Sequence, residues 1–142
     1  MADTTTDADG TLIATVHLES GETPHRQSIR AGHHTLVADE PASNGGADAG
    51  PSPFSFLLSG LAACTAITLR MYADRKGWSL GPLQVDARIF RDAGGEGYHI
   101  ERVIRPGAPL TDEQKKRLAE IADKTPVTRA VRGGTPIVTT IV

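Results

Sequence analysis

Over residues 11–19, Leu12, Ala14, Val16 and Leu18 alternate with Ile13, Thr15, His17 and Glu19. A period of two predicts a β-strand with one face more apolar than the other. Residues 20–24 carry turn chemistry in Ser20, Gly21 and Pro24. A second strand is expected over 25–30, and a third, after Gly32, over 34–38, which together make an antiparallel meander. Residues 40–52 hold Pro41, Gly45, Gly46, Gly50 and Pro51 and are expected to be a loop. Long loops of this kind often carry function.

The period then changes. Ser52 is a good N-cap, with Pro53 at the first helical position. Leu57, Leu61, Cys64 and Thr68 follow at i, i+4, i+7 and i+11, flanked by Leu58, Ala62 and Thr65. Small residues are dense from Ser59 to Ala66, which predicts a central helix buried nearly all round. It turns polar at Arg70 and at Asp74, Arg75 and Lys76, and Gly77 suits the position after its end. Residues 84–92 alternate again, Val85, Ala87 and Ile89 against Asp86, Arg88 and Phe90. Residues 93–97 form a turn, and 98–105 return with Tyr98, Ile100 and Ile104 on one face. Thr111 and Gln114 fit a capping box, starting a helix that runs to about Lys124. Its apolar side is narrow: Leu118, Ile121 and Ala122. Thr125-Pro126 ends it and opens a short helix over 127–131. After Gly133-Gly134, residues 137–142 read as a last strand. Strands that come in hairpins rather than in βαβ alternation indicate an α+β fold with antiparallel sheets. Residues 1–10, rich in Thr, Asp and Ala, are expected to be a flexible tail, and 11–142 a single domain.

The length, 142 residues, suits one domain. Aromatic residues make up only 4%, so the core must come from aliphatic side chains. A core that thin points to further burial in a dimer. The net charge of −2, without a basic run, gives no reason to expect nucleic acid as a partner. No stretch has the pattern of a signal peptide. The longest mostly apolar run, residues 54–69, falls short of the roughly 20 residues needed to cross a bilayer. The expectation is a core helix and a cytoplasmic protein, with no membrane partner.

The chain has one cysteine, Cys64. It cannot close a disulfide within the chain or build a multi-cysteine zinc site. A free cysteine on an apolar helix is most often a small hydrophobe. A reactive one needs a nearby cation and some access to solvent. Cys64 lies about three turns into its helix, so a cation must come from elsewhere in the fold. Arg26, Arg30, His33, His34 and Arg129 are the candidates, and the sequence does not rank them. His17 and His99 fall at strand positions open to solvent. His33-His34 lacks a third ligand at helical spacing, so no metal or other cofactor is expected. Asp39-Glu40 reads as a solvated loop entry, and Arg129 and Arg132 as a solvated face.

Four segments together resemble the OsmC/Ohr family. They are residues 34–41 with the glycine-rich loop to Pro53, residues 61–73 around Cys64 with Lys76-Gly77-Trp78, the hairpin and helix that follow, and Pro126-Val127-Thr128-Arg129 leading to Gly133-Gly134. The stretch around Cys64 is the specific one. The resemblance implies bacterial-type intertwined homodimers, each subunit with curved antiparallel sheets around a long central helix and active sites at the subunit interface. It also implies hydroperoxide reduction in oxidative stress defence. A thiolate attacks the peroxide, a second cysteine condenses with the resulting sulfenic acid, and an external thiol or dithiol reduces the disulfide. An arginine lowers the pKa of the attacking thiol and a glutamate orients that arginine.

Carried over residue by residue, Cys64 matches the attacking cysteine. The second cysteine falls at Thr125, which cannot form a disulfide. The acidic residue falls around Phe54 or Ser55, neither of which is acidic. Arg26 is the best match to the arginine, with Arg30 as the alternative, and either is expected to reach the partner subunit's site. Three readings remain open. The chain is a one-cysteine peroxidase resolved by an external thiol, or a degenerate relative that binds a small apolar ligand in the retained pocket, or a retained fold whose role the sequence does not display.

Overall fold

In the computed structural model, which describes residues 6–7 and 10–142, turn and cap residues set most of the element boundaries. Two compact units result, residues 1–56 and 57–142.

In the first unit, β1 (Thr6–Asp7) and β2 (Gly10–Thr11) pair as a two-residue antiparallel ladder. The rest of the expected 1–10 tail lies outside the described residues. A three-stranded antiparallel sheet follows, in the order β3 (His17–Ser20), β4 (Gln27–Ala31), β5 (His34–Ala38). Its register sets His17 opposite Arg30 and Ala31 opposite His34. The first strand is shorter than the alternation over 11–19 suggests. Residues 12–16 join no strand, because the ladder with β4 begins only at His17 and a strand needs paired backbone groups along its length.

Asp39 also departs from expectation: it is buried, not solvated. Its carboxylate accepts hydrogen bonds from the backbone N–H groups of Glu40 at 2.8 Å, Ala47 at 3.3 Å and Ala49 at 3.0 Å. Those bonds fold residues 40–50 around one charge. Gly50 fits because a Cβ there would lie 2.1 Å from the Val37 carbonyl oxygen. The Ala49 N–H contributes most to holding the Asp39 carboxyl below its ordinary pKa, followed by the Glu40 N–H. Burial opposes this, while the Ala47 N–H and the His25 charge reinforce it. A carboxyl whose pKa is lower in the folded state stabilises the fold above its unfolded pKa of about 3.9, and that contribution fades as pH falls through the folded value. Asp39→Asn is therefore expected to lower Tm by several degrees near neutral pH and by progressively less below about pH 4. Thermal melts across that range check this. A difference independent of pH would mean that the carboxylate charge is not what holds the loop.

Helix α1 (Pro53–Lys76) begins where the cap residues place it, with Ser52 Oγ accepting from the Ser55 N–H at 3.2 Å. It ends in a Schellman turn. The Trp78 N–H reaches the Ala73 carbonyl at 2.9 Å and the Gly77 N–H reaches that of Asp74 at 3.1 Å. This turn requires the left-handed φ of +69° that Gly77 supplies. At 24 residues, α1 is long and apolar enough, by length and composition, to cross a membrane. Its C-terminal half nevertheless packs as a core helix.

The buried stripe of α1 is Leu61, Thr65, Leu69 and Ala73. This corrects two expectations. The buried face is not that of Leu57, Cys64 and Thr68, and the helix is not buried all round: Leu57, Ile67 and Met71 are exposed. Leu69 and Ala73 meet Leu80 and, from helix α2 (Asp112–Ala122), Leu118 and Ala122. Thr111 caps α2 with the expected capping box, its hydroxyl on the Gln114 N–H at 3.1 Å and the Gln114 side chain on the Thr111 N–H at 2.9 Å.

Between α1 and α2, strands β6 (Leu83–Arg91) and β7 (Tyr98–Pro106) form an antiparallel hairpin. Val85, Ala87 and Ile89 are half-buried on one face, opposite Ile104, Arg102 and Ile100. Helix α3 (Pro126–Gly133) follows α2, with Thr125 at its N-cap. The last strand expected over 137–142 is absent. Those residues pair with no strand among the described residues, and Ile137, Val138 and Ile141 stand almost fully exposed.

Candidate functional site

Cys64 is half-buried on α1, and its Sγ lies 4.0 Å from Thr68 Oγ1, one turn further on. The next residue, Thr65, is fully buried and donates its hydroxyl proton to the Leu61 carbonyl at 2.7 Å. The same oxygen accepts from Arg102 Nη1 at 2.9 Å. Arg102 is thus anchored to α1 at the residue bonded to Cys64.

Arg102 comes from β7 at an inward position of the hairpin, and its side chain is 13% exposed. Beyond Thr65, its Nη1 donates to Thr128 Oγ1 at 2.9 Å and its Nη2 to the Ala122 carbonyl at 3.1 Å. The Asp123 carboxylate lies 3.6 Å from Nη2 and also takes Arg132 at 3.1 Å. Burial pulls the Arg102 pKa below its ordinary value and the Arg132 charge adds to this, while Asp123 and Cys64 favour the charged form. The guanidinium stays charged in water-accessible pH, as arginine does. One cation therefore ties the central helix to the corner between α2 and α3.

Thr125, where the resemblance places the second cysteine, belongs to this network. It is fully buried, and its hydroxyl sits 2.6 Å from that of Thr128. The structure thus brings Thr125 to within two hydrogen bonds of Arg102. Phe54 and Ser55 lie in the first turn of α1, which holds no acidic residue. Arg26 is exposed just before β4 and Arg30 is exposed within it, both in the 1–56 unit. His33 and His34 have adjacent rings, 4.1 Å between centroids. Among the described residues no three His, Cys, Asp or Glu side chains cluster as metal ligands. Arg129 is exposed, as expected. So is His99, which pairs with Asp92 at 2.6 Å and stacks on Phe90. Arg132 is not simply solvated, since it pairs with Asp123.

The sequence reading passed over Arg102, although a signal for it was present. Tyr98, Ile100 and Ile104 define the inward face of β7, and the period of two places residue 102 on that face. An arginine at an apolar strand position has to find partners inside, and that is what singles it out.

Beside this network lies a cavity of about 620 Å³, lined by Leu69, Leu83, Ile104, Leu110 and Leu118, with Arg102 and Lys115 as its cationic groups.

A half-buried thiol on the central helix, next in sequence to a threonine held by a largely buried arginine, marks the candidate site of this α+β chain of antiparallel hairpins. The chain belongs to the OsmC-like protein family, whose model matches residues 45–140. Solved structures share the fold. An OsmC-like protein from Mycoplasma pneumoniae is 19% identical, with a TM-score of 0.74, 86% of this chain covered and 89% of that one. For the organic hydroperoxide resistance protein OsmC from Legionella pneumophila the values are 17%, 0.67, 86% and 90%. For the organic hydroperoxide resistance protein OhrB of Bacillus subtilis they are 22%, 0.61, 86% and 92%. At these identities the likeness is one of fold. No curated protein matches the chain at a significant level.

Proposed function

We propose that this chain reduces hydroperoxides, organic ones in preference, as part of oxidative stress defence, with Cys64 as the attacking thiol. The observation that carries the reading is the placement of Cys64: half-buried rather than sealed, on a helix gripped at the next residue by the buried Arg102. Membership of the OsmC-like family, together with a fold shared with organic hydroperoxide resistance proteins, supports it.

In the proposed cycle the Cys64 thiolate attacks the peroxide O–O bond. One oxygen stays on sulfur as the sulfenic acid, and the other leaves as the alcohol after taking a proton. With threonine at 125, an external thiol condenses with the sulfenic acid, releasing water and leaving a mixed disulfide. A second thiol reduces that bond, returning the Cys64 thiol and an external disulfide. No cofactor is required. Residues 11–142 act as one domain in a cytoplasmic homodimer, in which Arg26 or Arg30 reaches the partner subunit's site. Exposed Ile67 and Met71 on α1 and the unpaired Ile137, Val138 and Ile141 support the dimer, because apolar surface of that extent seeks cover. A monomeric mass by light scattering would remove it.

The test is one equivalent of cumene hydroperoxide added to the reduced protein, followed by intact mass and a sulfenic-acid trap. Cys64 is expected to gain one oxygen within seconds, faster than with hydrogen peroxide, and to lose it to added thiol, while Cys64→Ser gains nothing. A thiol that stays reduced for many minutes rejects the reading. In that event the cavity beside Leu69 and Ile104 favours the second one, a family member that binds a small apolar ligand. Such a ligand would raise Tm in the wild type and in Cys64→Ser alike.

A further inference from the structure

The start of α2 carries a cation where an apolar residue is usual. Thr111 is the N-cap, so Leu110 precedes the cap and Lys115 stands at the fourth helical position. An apolar pair at those two positions commonly staples the entry to a helix. Here the second member is a lysine, and Leu110, half-buried, faces the cavity of about 620 Å³ instead.

That cavity has two chemically distinct sides. Its deep wall is apolar. Leu69 and Leu80 have almost no exposed surface, Leu118 is buried, and Leu83 and Ile104 are half-buried beside them. Its polar side is positive, because Lys115 and Arg102 line it and no Asp or Glu does. Lys115 is exposed, which puts it at the mouth, and it pairs with no carboxylate among the described residues. Arg102 spends its Nη atoms on Thr65, Thr128 and the Ala122 carbonyl, while its Nε makes no hydrogen bond among the described residues. Lys115, Leu118 and Ala119 are spaced i, i+3 and i+4, so the cation shares one helix face with the apolar wall. Cys64 does not line the cavity.

We propose that this cavity binds a small aliphatic carboxylate. Its chain lies along Leu110, Ile104, Leu118 and Leu69, and its carboxylate meets the Lys115 ammonium at the mouth. Charge and shape select that class together. An aliphatic ammonium would meet like charge, and an inorganic anion would leave the leucine wall in water. An uncharged apolar molecule would fill the wall but leave the lysine unmatched. The volume falls in the range of small-molecule sites, roughly 300–1,000 Å³. Such binding supplies the ligand class for the reading in which the chain holds a small apolar molecule, and it requires nothing of the thiol.

The measurement is the affinity of the full chain for octanoate by titration calorimetry, checked by the rise in Tm that binding produces. Octanol and octylammonium serve as the uncharged and cationic counterparts. Octanoate is expected to bind about tenfold more tightly than octanol, as a hydrogen bond to a charged group allows. Octylammonium should bind more weakly than either. From butanoate to octanoate the affinity should rise roughly three- to fourfold with each methylene buried. Lys115→Gln should weaken octanoate about fivefold, the upper range for a solvent-exposed ion pair, and leave octanol unchanged. Ala119→Leu, which grows a side chain from an exposed position into the same space, should weaken both ligands without lowering the Tm of the free protein. Cys64→Ser should bind as the wild type does. Equal affinity for octanoate and octanol, or a Lys115→Gln variant that binds octanoate normally, overturns the carboxylate assignment and leaves the apolar-ligand reading standing. Binding that survives Ala119→Leu or is lost in Cys64→Ser places the ligand elsewhere and overturns the proposal. If none of the three ligands binds, both the proposal and the apolar-ligand reading fall, while the peroxide test of Cys64 is untouched.

Discussion

Thr125→Cys is expected to convert the protein from one that stops at a sulfenic acid into one that closes an internal disulfide. With one equivalent of cumene hydroperoxide, the wild type should gain an oxygen on Cys64. The variant should instead end lighter by two hydrogens, with both thiols blocked to alkylation until a dithiol is added. Three observations point this way. Thr125 is fully buried at the N-cap of α3. Its hydroxyl meets that of Thr128, which Arg102 bonds, and Arg102 bonds the residue next to Cys64. Cysteine is close to threonine in size, so the site can accept it. The change gives up the 2.6 Å contact with Thr128, which should cost about 1–3 kcal/mol if a buried hydroxyl is left unsatisfied. The new bond requires Cα atoms within roughly 4.4–6.8 Å in the oxidised state. Turnover with a dithiol such as dithiothreitol should then exceed that of the wild type, because an internal thiol acts at a high effective concentration. If the variant keeps an oxygen on Cys64 while the introduced thiol stays free, residue 125 does not stand in for the resolving cysteine.

Leu69→Ala should produce the largest loss of stability among single truncations of α1. Leu69 has no exposed surface and packs with Ala73, Leu80, Leu118 and Ala122, so it joins the central helix to α2. Truncating a buried leucine costs about 2–5 kcal/mol, through lost transfer energy and the cavity left behind. Whole domains have only about 5–15 kcal/mol in total. For a chain of this length the loss corresponds to a fall in Tm on the order of 10 °C. The cavity beside Leu69 sharpens the case, because the wall already borders empty space and has few atoms with which to collapse. Urea unfolding with an unchanged slope would attribute the effect to stability alone. A loss below about 1 kcal/mol would mean that α2 does not pack on this face of α1.

Local chemistry made much of the architecture legible. Pro53 and Gly77 bound α1 because a missing N–H suits a helix start and a left-handed φ suits its end, and both requirements lie within a few residues. The capping box at Thr111 and the alternation across the β6–β7 hairpin are local in the same sense. Four segments together, the stretch around Cys64 the most specific of them, indicated the family. The expected strands over 11–19 and 137–142 failed for the opposite reason. Alternation records a preference for extended backbone, but a strand exists only where another one pairs with it. Among the described residues β4 meets residues 17–20 and no strand meets 137–142.

The candidate site divides along the same line. By itself the sequence determined the single thiol and its helix, because residue identity and helical spacing carry those facts, while the roles expected of Thr125 and of Phe54 or Ser55 came from the family resemblance. Only the tertiary structure decided that Thr65, not Cys64, lies on the buried stripe of α1, that Asp39 is an interior anchor, and that Arg102 lies against the Cys64 turn beside Asp123. Thr65, Arg102 and Thr128 are 37 and 26 residues apart in the chain. No pattern of short period relates positions so distant, and they meet only because the hairpin and α2 pack against α1 while Arg102 reaches Thr128 on α3.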